Sequence, residues 1–146
     1  MSRLKKANLP IADLIANYES AKIALSMFCL GEVSKYKSTK SFNLGNSDPR
    51  IFIALLKACF DFNLEKIRCT AQCRADQDIK DLEKFWQQVT GVPKRLFYKA
   101  RSDPRTVGKS TKKKDCKEVL RVDYLDNKVQ LDLESLSDLI YNRVRA

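Results

Sequence analysis

The stretch SAKIALSMFCLGEV, from Ser20 to Val33, is a nearly unbroken apolar run that ends in a single carboxylate, Glu32. Apolar residues fill almost every position between Ile23 and Leu30, which predicts a helix that is buried on most of its sides. The run is too short and too close to charged residues to cross a bilayer, since a crossing needs about 20 apolar residues. We therefore expect a central helix and no association with membranes.

The chain has 146 residues, five cysteines and no histidine. This length fits a single domain over residues 1–146, with residues 1–17 as an N-terminal lead-in. An odd number of cysteines and the lack of a secretory pattern at the N-terminus predict a reduced, intracellular, cytoplasmic protein. Without histidine, the chain cannot form Ser-His-Asp or Cys-His catalytic groups or Cys-His zinc sites.

The net charge of +10 is unevenly distributed along the chain. Residues 1–47 have a net charge of +4 and residues 91–121 a net charge of +8, whereas the remaining blocks are neutral or slightly acidic. Positive charge of this kind attracts a polyanion, and the affinity is expected to fall steeply with salt. We interpret the charge as favouring nucleic acid over a merely solubilising surface, because the positive blocks contain turns and strands.

Hydrophobic periodicity predicts helices and strands in alternation. Their expected bounds are a short helix over 10–18, the central helix over 20–33, a strand or ragged hairpin over 35–44 closed by Gly45, helices over 50–62, 76–91 and 131–144, and strands over 66–74, 95–101 and 118–126. Asn46-Ser47-Asp48-Pro49 is a typical helix start, and Asp76 is the expected N-cap of the helix over 76–91. The apolar face expected for the last helix consists of Leu133, Leu136, Ile140 and Val144.

The order of these elements predicts an α+β fold with a small, mostly antiparallel, curved sheet and helices on one face. The clearest strand, KIRCTAQCR, alternates Ile67, Cys69, Ala71 and Cys73 with Arg68, Thr70, Gln72 and Arg74. The first set is expected in the core, so the two cysteines are interpreted as small core residues and not as metal ligands. The second set carries side-chain types that hydrogen-bond bases and phosphates.

A long basic loop, SDPRTVGKSTKKKDC, lies between the strands predicted over 95–101 and 118–126. We therefore predict that these two strands pair and that the loop projects from them. Positively charged and amide side chains on the sheet, in this loop and after the central helix are the predicted DNA contacts. They are Lys35, Lys37, Lys40, Arg68, Gln72, Arg74, Lys99, Arg101, Arg105, Lys109, Lys112, Lys113, Lys114, Lys117 and Arg121.

Several short signatures occur in an order that resembles the LAGLIDADG homing-endonuclease family, and most closely its small single-motif bacterial relatives. The segment from Leu25 to Val33 stands in the place of the family motif. The other signatures are Asn46-Ser47-Asp48-Pro49, Ala75-Asp76-Gln77-Asp78, Phe85-Trp86 and Thr90-Gly91-Val92-Pro93. The resemblance covers roughly residues 18–145 and implies a LAGLIDADG-like fold.

In this family two such helices pack side by side, and each delivers one acid to a shared site for Mg²⁺ that cleaves a phosphodiester bond. The resemblance therefore implies that Glu32 is both catalytic and metal-binding. A chain with one motif would act as a homodimer through the helix Ser20–Val33, on a roughly palindromic site in double-stranded DNA.

Two alternatives remain open from the sequence. Val33 stands where the family has a glycine, which favours a non-catalytic DNA-binding regulator. Met27 stands where the family has small residues that let two such helices touch. The aromatic residues Tyr36, Phe97 and Tyr98 lie in predicted strands, where they could stack on bases of RNA. Two tests separate these hypotheses: a comparison of Mg²⁺-dependent DNA cutting by Glu32→Gln and the wild-type protein, and a competition between duplex DNA and folded RNA with and without Mg²⁺.

Overall fold

The central helix, α2, spans Tyr18–Glu32 and organises the helical layer. The structure, a computed structural model, describes residues 1–32, 42–46, 49–111 and 117–146, with the backbone alone for 30–32 and 42–46. Helix α2 packs against α3 (Arg50–Cys59) and α5 (Asn127–Val144). The buried hydroxyl of Ser26 lies 2.9 Å from the hydroxyl of Ser137, so a polar contact joins α2 to α5 within the core.

One side of α2 is exposed, although its other sides are packed. Ala21 and Leu25 are buried, whereas Ile23 is 48% exposed and Met27, one turn later, is 37% exposed. The prediction that the helix is buried on most of its sides is therefore wrong for this side. The physical reason is that α3, α5 and the sheet cover α2 from the other directions, and nothing within the described residues covers the side with Ile23 and Met27.

Helix α1 spans Arg3–Ala12 and has no buried residue. Its N-cap is Ser2, whose hydroxyl accepts a hydrogen bond from the backbone N–H of Lys5. The prediction of a helix over 10–18 is wrong, because α1 begins earlier and ends soon after Pro10, and residues 13–17 form the connection to α2. Asn17 then accepts a hydrogen bond from the N–H of Ser20 at 2.8 Å and starts α2.

The sheet consists of β1 (Phe42–Asn46), β5 (Leu120–Tyr124) and β2 (Ile67–Ala71), which are antiparallel neighbours in that order. β5 is therefore the central strand, with β1 on one side and β2 on the other. Gly45 pairs with Arg121, so this glycine lies inside β1 and does not close it, contrary to the prediction. The remaining predicted part of that strand, residues 35–41, lies outside the described residues.

Alternating burial along β2 confirms the prediction made from its sequence. Alternate residues of β2 and β5 point into a core shared with the helices. The buried residues of the two strands on this side are Ile67, Cys69, Ala71, Leu120, Val122 and Tyr124. Helices therefore cover this face of the sheet, and the arginines of β2 and β5 belong to the opposite face.

The segment after Pro93 does not form the predicted strand over 95–101. A 3₁₀ turn occupies Lys94–Leu96, and Phe97 then forms an isolated parallel bridge with Cys69. The N–H of Tyr98 donates to the carbonyl of Cys69 at 2.8 Å, so this segment neighbours β2. The predicted pairing with the strand over 118–126 is wrong, because β1 and β2 occupy both sides of β5.

Helix α4 spans Ile79–Thr90, and its N-cap is Asp78, not Asp76 as predicted. The carboxylate of Asp78 accepts hydrogen bonds from the N–H groups of Lys80 and Asp81 at 2.8 and 3.1 Å. Gly91 has φ 71°, a left-handed conformation that favours glycine, and it ends the helix as predicted.

The two remaining helices differ from their predicted bounds. α3 ends at Cys59, before the predicted end at residue 62, because Phe60 has an extended backbone. α5 begins at Asn127, four residues before the predicted start at residue 131, and is capped by Asp126. Val144 is 79% exposed, so its predicted place on the packed face is wrong. The last turn of α5 extends beyond the elements against which the helix packs.

These elements form an α+β structure in which helices pack on one face of a mostly antiparallel sheet. β3 (Cys73–Arg74) follows β2 closely in the chain. It forms a short parallel pair with β4 (Ser102–Asp103). Cys69, Cys73 and Trp86 are buried in the core, as predicted. Burial raises the pKa of the Cys69 thiol to about 12, which keeps it neutral.

Candidate nucleic-acid interface

The face of the sheet opposite the helices, named here the outer face, carries polar and charged side chains. Along β2 and β5, the residues that point to the outer face alternate with the residues that point into the core. The same holds for residues 97 and 98, which lie beside β2. The outer face is defined by Arg68, Thr70, Gln72, Tyr98, Arg121 and Asp123. Thr70 pairs with Arg121, and Arg68 pairs with Asp123, so the two arginines lie on adjacent strands.

Arg68 is half-buried, and its guanidinium turns back onto the backbone. Its Nη1 donates to the carbonyl of Glu65 at 2.7 Å and to the carbonyl of Ile67 at 2.6 Å. A guanidinium has five N–H donors, and these two contacts use only those on Nη1. Arg68 is therefore held in position while its remaining donors could address a phosphate or a base edge.

Arg121 and Asp123 form an ion pair along β5. Arg121 Nη2 lies 3.2 Å from Asp123 Oδ1, and Nε donates to the same oxygen at 3.3 Å. Asp123 is only 4% exposed although it belongs to the outer face. Burial raises the pKa of its carboxyl group, and Arg121 partly opposes this effect. The pair places one exposed cation over one buried acid near the centre of the sheet.

Tyr98 belongs to the outer face, whereas the sequence interpretation named it only as one of three aromatic residues that could stack on RNA bases. The parallel bridge between Phe97 and Cys69 places these two residues on the packed face. The next residue, Tyr98, is therefore on the other face, where it is 48% exposed. The available sequence signal was Pro93, because proline is favourable at the start of a helical turn and here directly precedes the 3₁₀ turn.

Beside the outer face, segment 102–111 is fastened to the turn that follows β3. The hydroxyl of Thr106 accepts from the N–H of Ala75 at 2.8 Å and donates to the carbonyl of Asp103 at 2.6 Å. Farther along, the N–H and hydroxyl of Thr111 both donate to the carboxylate of Asp76, at 2.6 and 2.7 Å. None of these three side chains was singled out as a contact of the loop from the sequence.

The predicted contacts of this region differ in how they are held. Arg74 is largely covered, with Nε 3.8 Å from a carboxylate oxygen of Asp76. Arg105 is exposed and donates to Asp103, whose pKa it lowers. Lys117 lies with its Nζ 5.3 Å from the centre of the Phe85 ring, beside α4. The remaining described members, Gln72, Lys99, Arg101 and Lys109, are exposed.

The structure therefore brings together Arg68, Gln72 and Arg121 on the outer face, and it places the other described contacts along the adjoining segment and turn. Six predicted contacts lie outside the described residues: Lys35, Lys37, Lys40, Lys112, Lys113 and Lys114.

Glu32, the predicted metal ligand, is the last residue of α2, and its side chain is outside the described part of the chain. Among the side chains that are described, no group of three or more His, Cys, Asp or Glu could hold a metal ion. No helix in the described ranges has the length and apolar character needed to cross a membrane.

Comparison with known proteins gives no match. No protein-family model matches the chain, and no curated protein or solved structure is significantly similar to it.

Proposed function

We propose that the protein binds double-stranded DNA through the outer face and the adjoining segment 102–111. In this proposal the fold is LAGLIDADG-like, and the active form is a homodimer with Mg²⁺-dependent phosphodiester cleavage at Glu32. The observation that carries the proposal is the division of the sheet, with helices on one face and Arg68 and Arg121 on adjacent strands of the other. The major groove of DNA admits a two-stranded β-ribbon, and β2 and β5 form such an antiparallel pair within the sheet.

Charge supports a polyanion as the ligand. Residues 91–121, which include the segment next to the outer face, have a net charge of +8. Arginine and lysine contacts to phosphates release counterions, so binding through them depends on salt. Gln72 and Thr70 add neutral hydrogen-bonding groups between the cations, which suits contacts to base edges.

The exposed side of α2 supports a second copy as the partner. Ile23 and Met27 lie one turn apart, and both are apolar and exposed on a helix that is otherwise packed. A two-fold axis along this side would bring two α2 helices together and place both Glu32 residues at the same end of the pair. Each chain would then supply one acid to a metal site at the interface.

Binding is tested by fluorescence anisotropy with labelled duplex DNA over a range of salt concentrations, with folded RNA as competitor. We expect log K to fall linearly with log salt, by about 0.9 per neutralised phosphate. Duplex DNA is expected to compete better than RNA. No saturable binding of duplex DNA at low salt contradicts the proposal, and stronger competition by RNA favours the stacking role of Tyr98.

Cleavage is tested separately with supercoiled plasmid in Mg²⁺ or in EDTA. We expect nicking by the wild-type protein in Mg²⁺ alone, and its loss in Glu32→Gln with duplex affinity retained. Wild-type binding without any nicking identifies the non-catalytic regulator, which Val33 favours. Equal nicking by both proteins contradicts the role of Glu32.

A further inference from the structure

Glu65 contacts two arginines at the point where β2 begins, at the edge of the outer face. It lies in the 3₁₀ turn Leu64–Lys66, which leads directly into β2. Its two carboxylate oxygens each accept a hydrogen bond from a different nitrogen of the Arg95 guanidinium, and the distance from Nη1 to Oε2 is 2.6 Å. Two parallel bonds of this kind give an ion pair a defined geometry as well as strength.

The second arginine is Arg68 of the outer face, whose Nη1 donates to the backbone carbonyl of Glu65 at 2.7 Å. The hydrogen bonds from Arg95 are the main cause that lowers the pKa of Glu65, and the charge of Arg68 lowers it further. The carboxylate is therefore ionised at neutral pH. One anion is thus held within the electrostatic field of two guanidinium groups.

This arrangement is fixed by its backbone, although its charged groups are open to solvent. Asn63 Oδ1 accepts the N–H of Glu65 at 3.0 Å, and Leu96, the residue next to Arg95, is buried in the core. By contrast, the side chains of Arg95 and Glu65 are 57% and 59% exposed. An anionic ligand can therefore reach both arginine and carboxylate without a change in the core.

A phosphodiester group offers arginine the same chemistry as a carboxylate, because both present charged oxygens that accept two parallel N–H bonds. Arg95 was not among the DNA contacts predicted from the sequence. Its ion pair with Glu65 is exposed, and exposed ion pairs contribute little to stability and are screened by salt. A phosphate that takes the place of the Glu65 carboxylate therefore disrupts little of the fold.

We propose that Arg95 and Arg68 form a binding site for a phosphate of the DNA backbone, which Glu65 occupies in the free protein and from which the phosphate displaces it. This inference rests on the proposed function for the source of the phosphate. If Glu65 competes with the phosphate, its neutralisation tightens DNA binding. If Glu65 instead holds Arg95 in the orientation that DNA requires, its neutralisation weakens binding.

The experiment measures duplex affinity by fluorescence anisotropy over a range of salt concentrations for Arg95→Gln, Glu65→Gln and the variant with both changes. Two exposed residues provide matched charge controls. Lys84→Gln removes a cation from α4, which packs on the other face of the sheet, and Asp61→Asn removes an acid four residues before Glu65. Thermal melts establish that each variant folds.

We expect Arg95→Gln to weaken duplex affinity by about fivefold and to lower the salt slope by about 0.9, the value for one phosphate contact. Lys84→Gln is expected to have a clearly smaller effect on both quantities. A loss of affinity in Arg95→Gln no larger than that in Lys84→Gln overturns the proposal.

We expect Glu65→Gln to tighten duplex binding by about threefold, because Arg95 is then available to the phosphate for a larger fraction of the time. This gain should exceed that of Asp61→Asn. When Arg95 has already been replaced by glutamine, Glu65→Gln should tighten binding no more than Asp61→Asn does. A loss of affinity in Glu65→Gln, or a gain no larger than that in Asp61→Asn, overturns the competition between Glu65 and the phosphate.

A titration with inorganic phosphate tests the site without DNA, through the NMR signal of the Arg95 Nε–H group. We expect phosphate to shift this signal in the wild-type protein, and to do so at lower concentrations in Glu65→Gln. No shift in either protein overturns the proposal. If the wild-type protein fails to bind duplex DNA, the proposed function is contradicted, and this titration still decides whether the site accepts a phosphate. If the wild-type protein binds duplex DNA and Arg95→Gln matches its control, the proposed function stands and this inference alone fails.

Discussion

The two faces of the β2–β5 pair share one backbone ladder but differ in what surrounds their side chains. On the packed face, Cys69 lies opposite Val122, and neither has any exposed surface. One residue along the same strands, Thr70 lies opposite Arg121 and Arg68 lies opposite Asp123. Because successive strand residues point to opposite faces, neighbouring positions experience different environments.

This difference separates the sources of stability and binding. The packed face removes apolar surface from water, which is the main favourable term in folding. On the outer face, Arg121 is about half exposed and its partner Asp123 is buried, so the attraction within this ion pair is offset by the cost of removing the carboxylate from water. Changes on the packed face are therefore expected to alter the free energy of unfolding, and changes on the outer face to alter affinity. Two adjacent residues, Ile67 and Arg68, test this distinction within one strand.

The largest effect is expected for Ile67→Ala on the packed face. Ile67 is fully buried, and truncation of such a side chain removes apolar contacts and leaves a cavity. We expect a loss of about 2–5 kcal/mol in the free energy of unfolding, measured by urea denaturation. Duplex affinity measured under conditions where the variant remains folded is expected to be unchanged.

The control for this change is Ile67→Val, which should cost only about 0.5–1.5 kcal/mol. If Ile67→Ala costs less than Ile67→Val, position 67 does not belong to the packed core.

A smaller effect, on affinity and not on folding, is expected for Arg68→Ala. The variant loses the guanidinium of Arg68, with its two contacts to backbone carbonyls and the donors that those contacts leave available. We expect duplex binding to weaken by about 1–3 kcal/mol, measured by anisotropy, while the free energy of unfolding changes by about 1 kcal/mol or less.

Lys128→Ala provides a control with the same change in charge, because Lys128 is exposed in the first turn of α5. Its effect on affinity should be clearly smaller than that of Arg68→Ala. Equal losses would indicate that net charge, and not the outer face, determines binding.

The sequence predicted β2 well because its alternation has a period of two and its two sets of residues differ in chemistry. The same alternation over 95–101 gave a wrong strand, because a 3₁₀ turn occupies Lys94–Leu96 and Phe97 then forms an isolated bridge with Cys69. The burial in this segment does not follow a period of two, since Leu96 and Ala100 are buried and Tyr98 between them is 48% exposed. The bridge places Phe97 against the core and leaves Tyr98 on the outer face, a result that periodicity alone does not provide.

The hydrogen bonds from Thr111 to Asp76 were missed for a different reason. Asp76 and Asp78 both precede α4, and local sequence does not distinguish between them as N-caps. Their roles are separated by Thr111, which lies 35 residues away and bonds to Asp76, and such long-range contacts have no local signature. The exposed side of α2 was missed likewise, because which side of an apolar helix is covered depends on how α3 and α5 pack. The role of Glu32 stays a prediction.

The smallest effect, and one that tests the limits of the comparison, is expected for Asp123→Asn. Asp123 belongs to the outer face but is buried like a residue of the packed face, and burial raises its pKa. The folded protein therefore keeps the proton of this carboxyl group to a higher pH than the unfolded chain does. By linkage, the contribution of Asp123 to stability is greatest below the unfolded pKa and is lost as pH rises through the folded pKa.

Asparagine carries no charge at any pH, so Asp123→Asn should be more stable than the wild-type protein at pH 7. This advantage should shrink as the pH falls to about 4, close to the ordinary pKa of aspartate. Urea denaturation of both proteins at several pH values measures the difference, and Asp138→Asn, an exposed position in α5, is the control for the loss of one acidic residue. A variant that is less stable than the wild-type protein at pH 7 would mean that the ion pair with Arg121 outweighs the cost of burial. In that case the Arg121–Asp123 pair would contribute to folding, and the outer face would not be separable from stability.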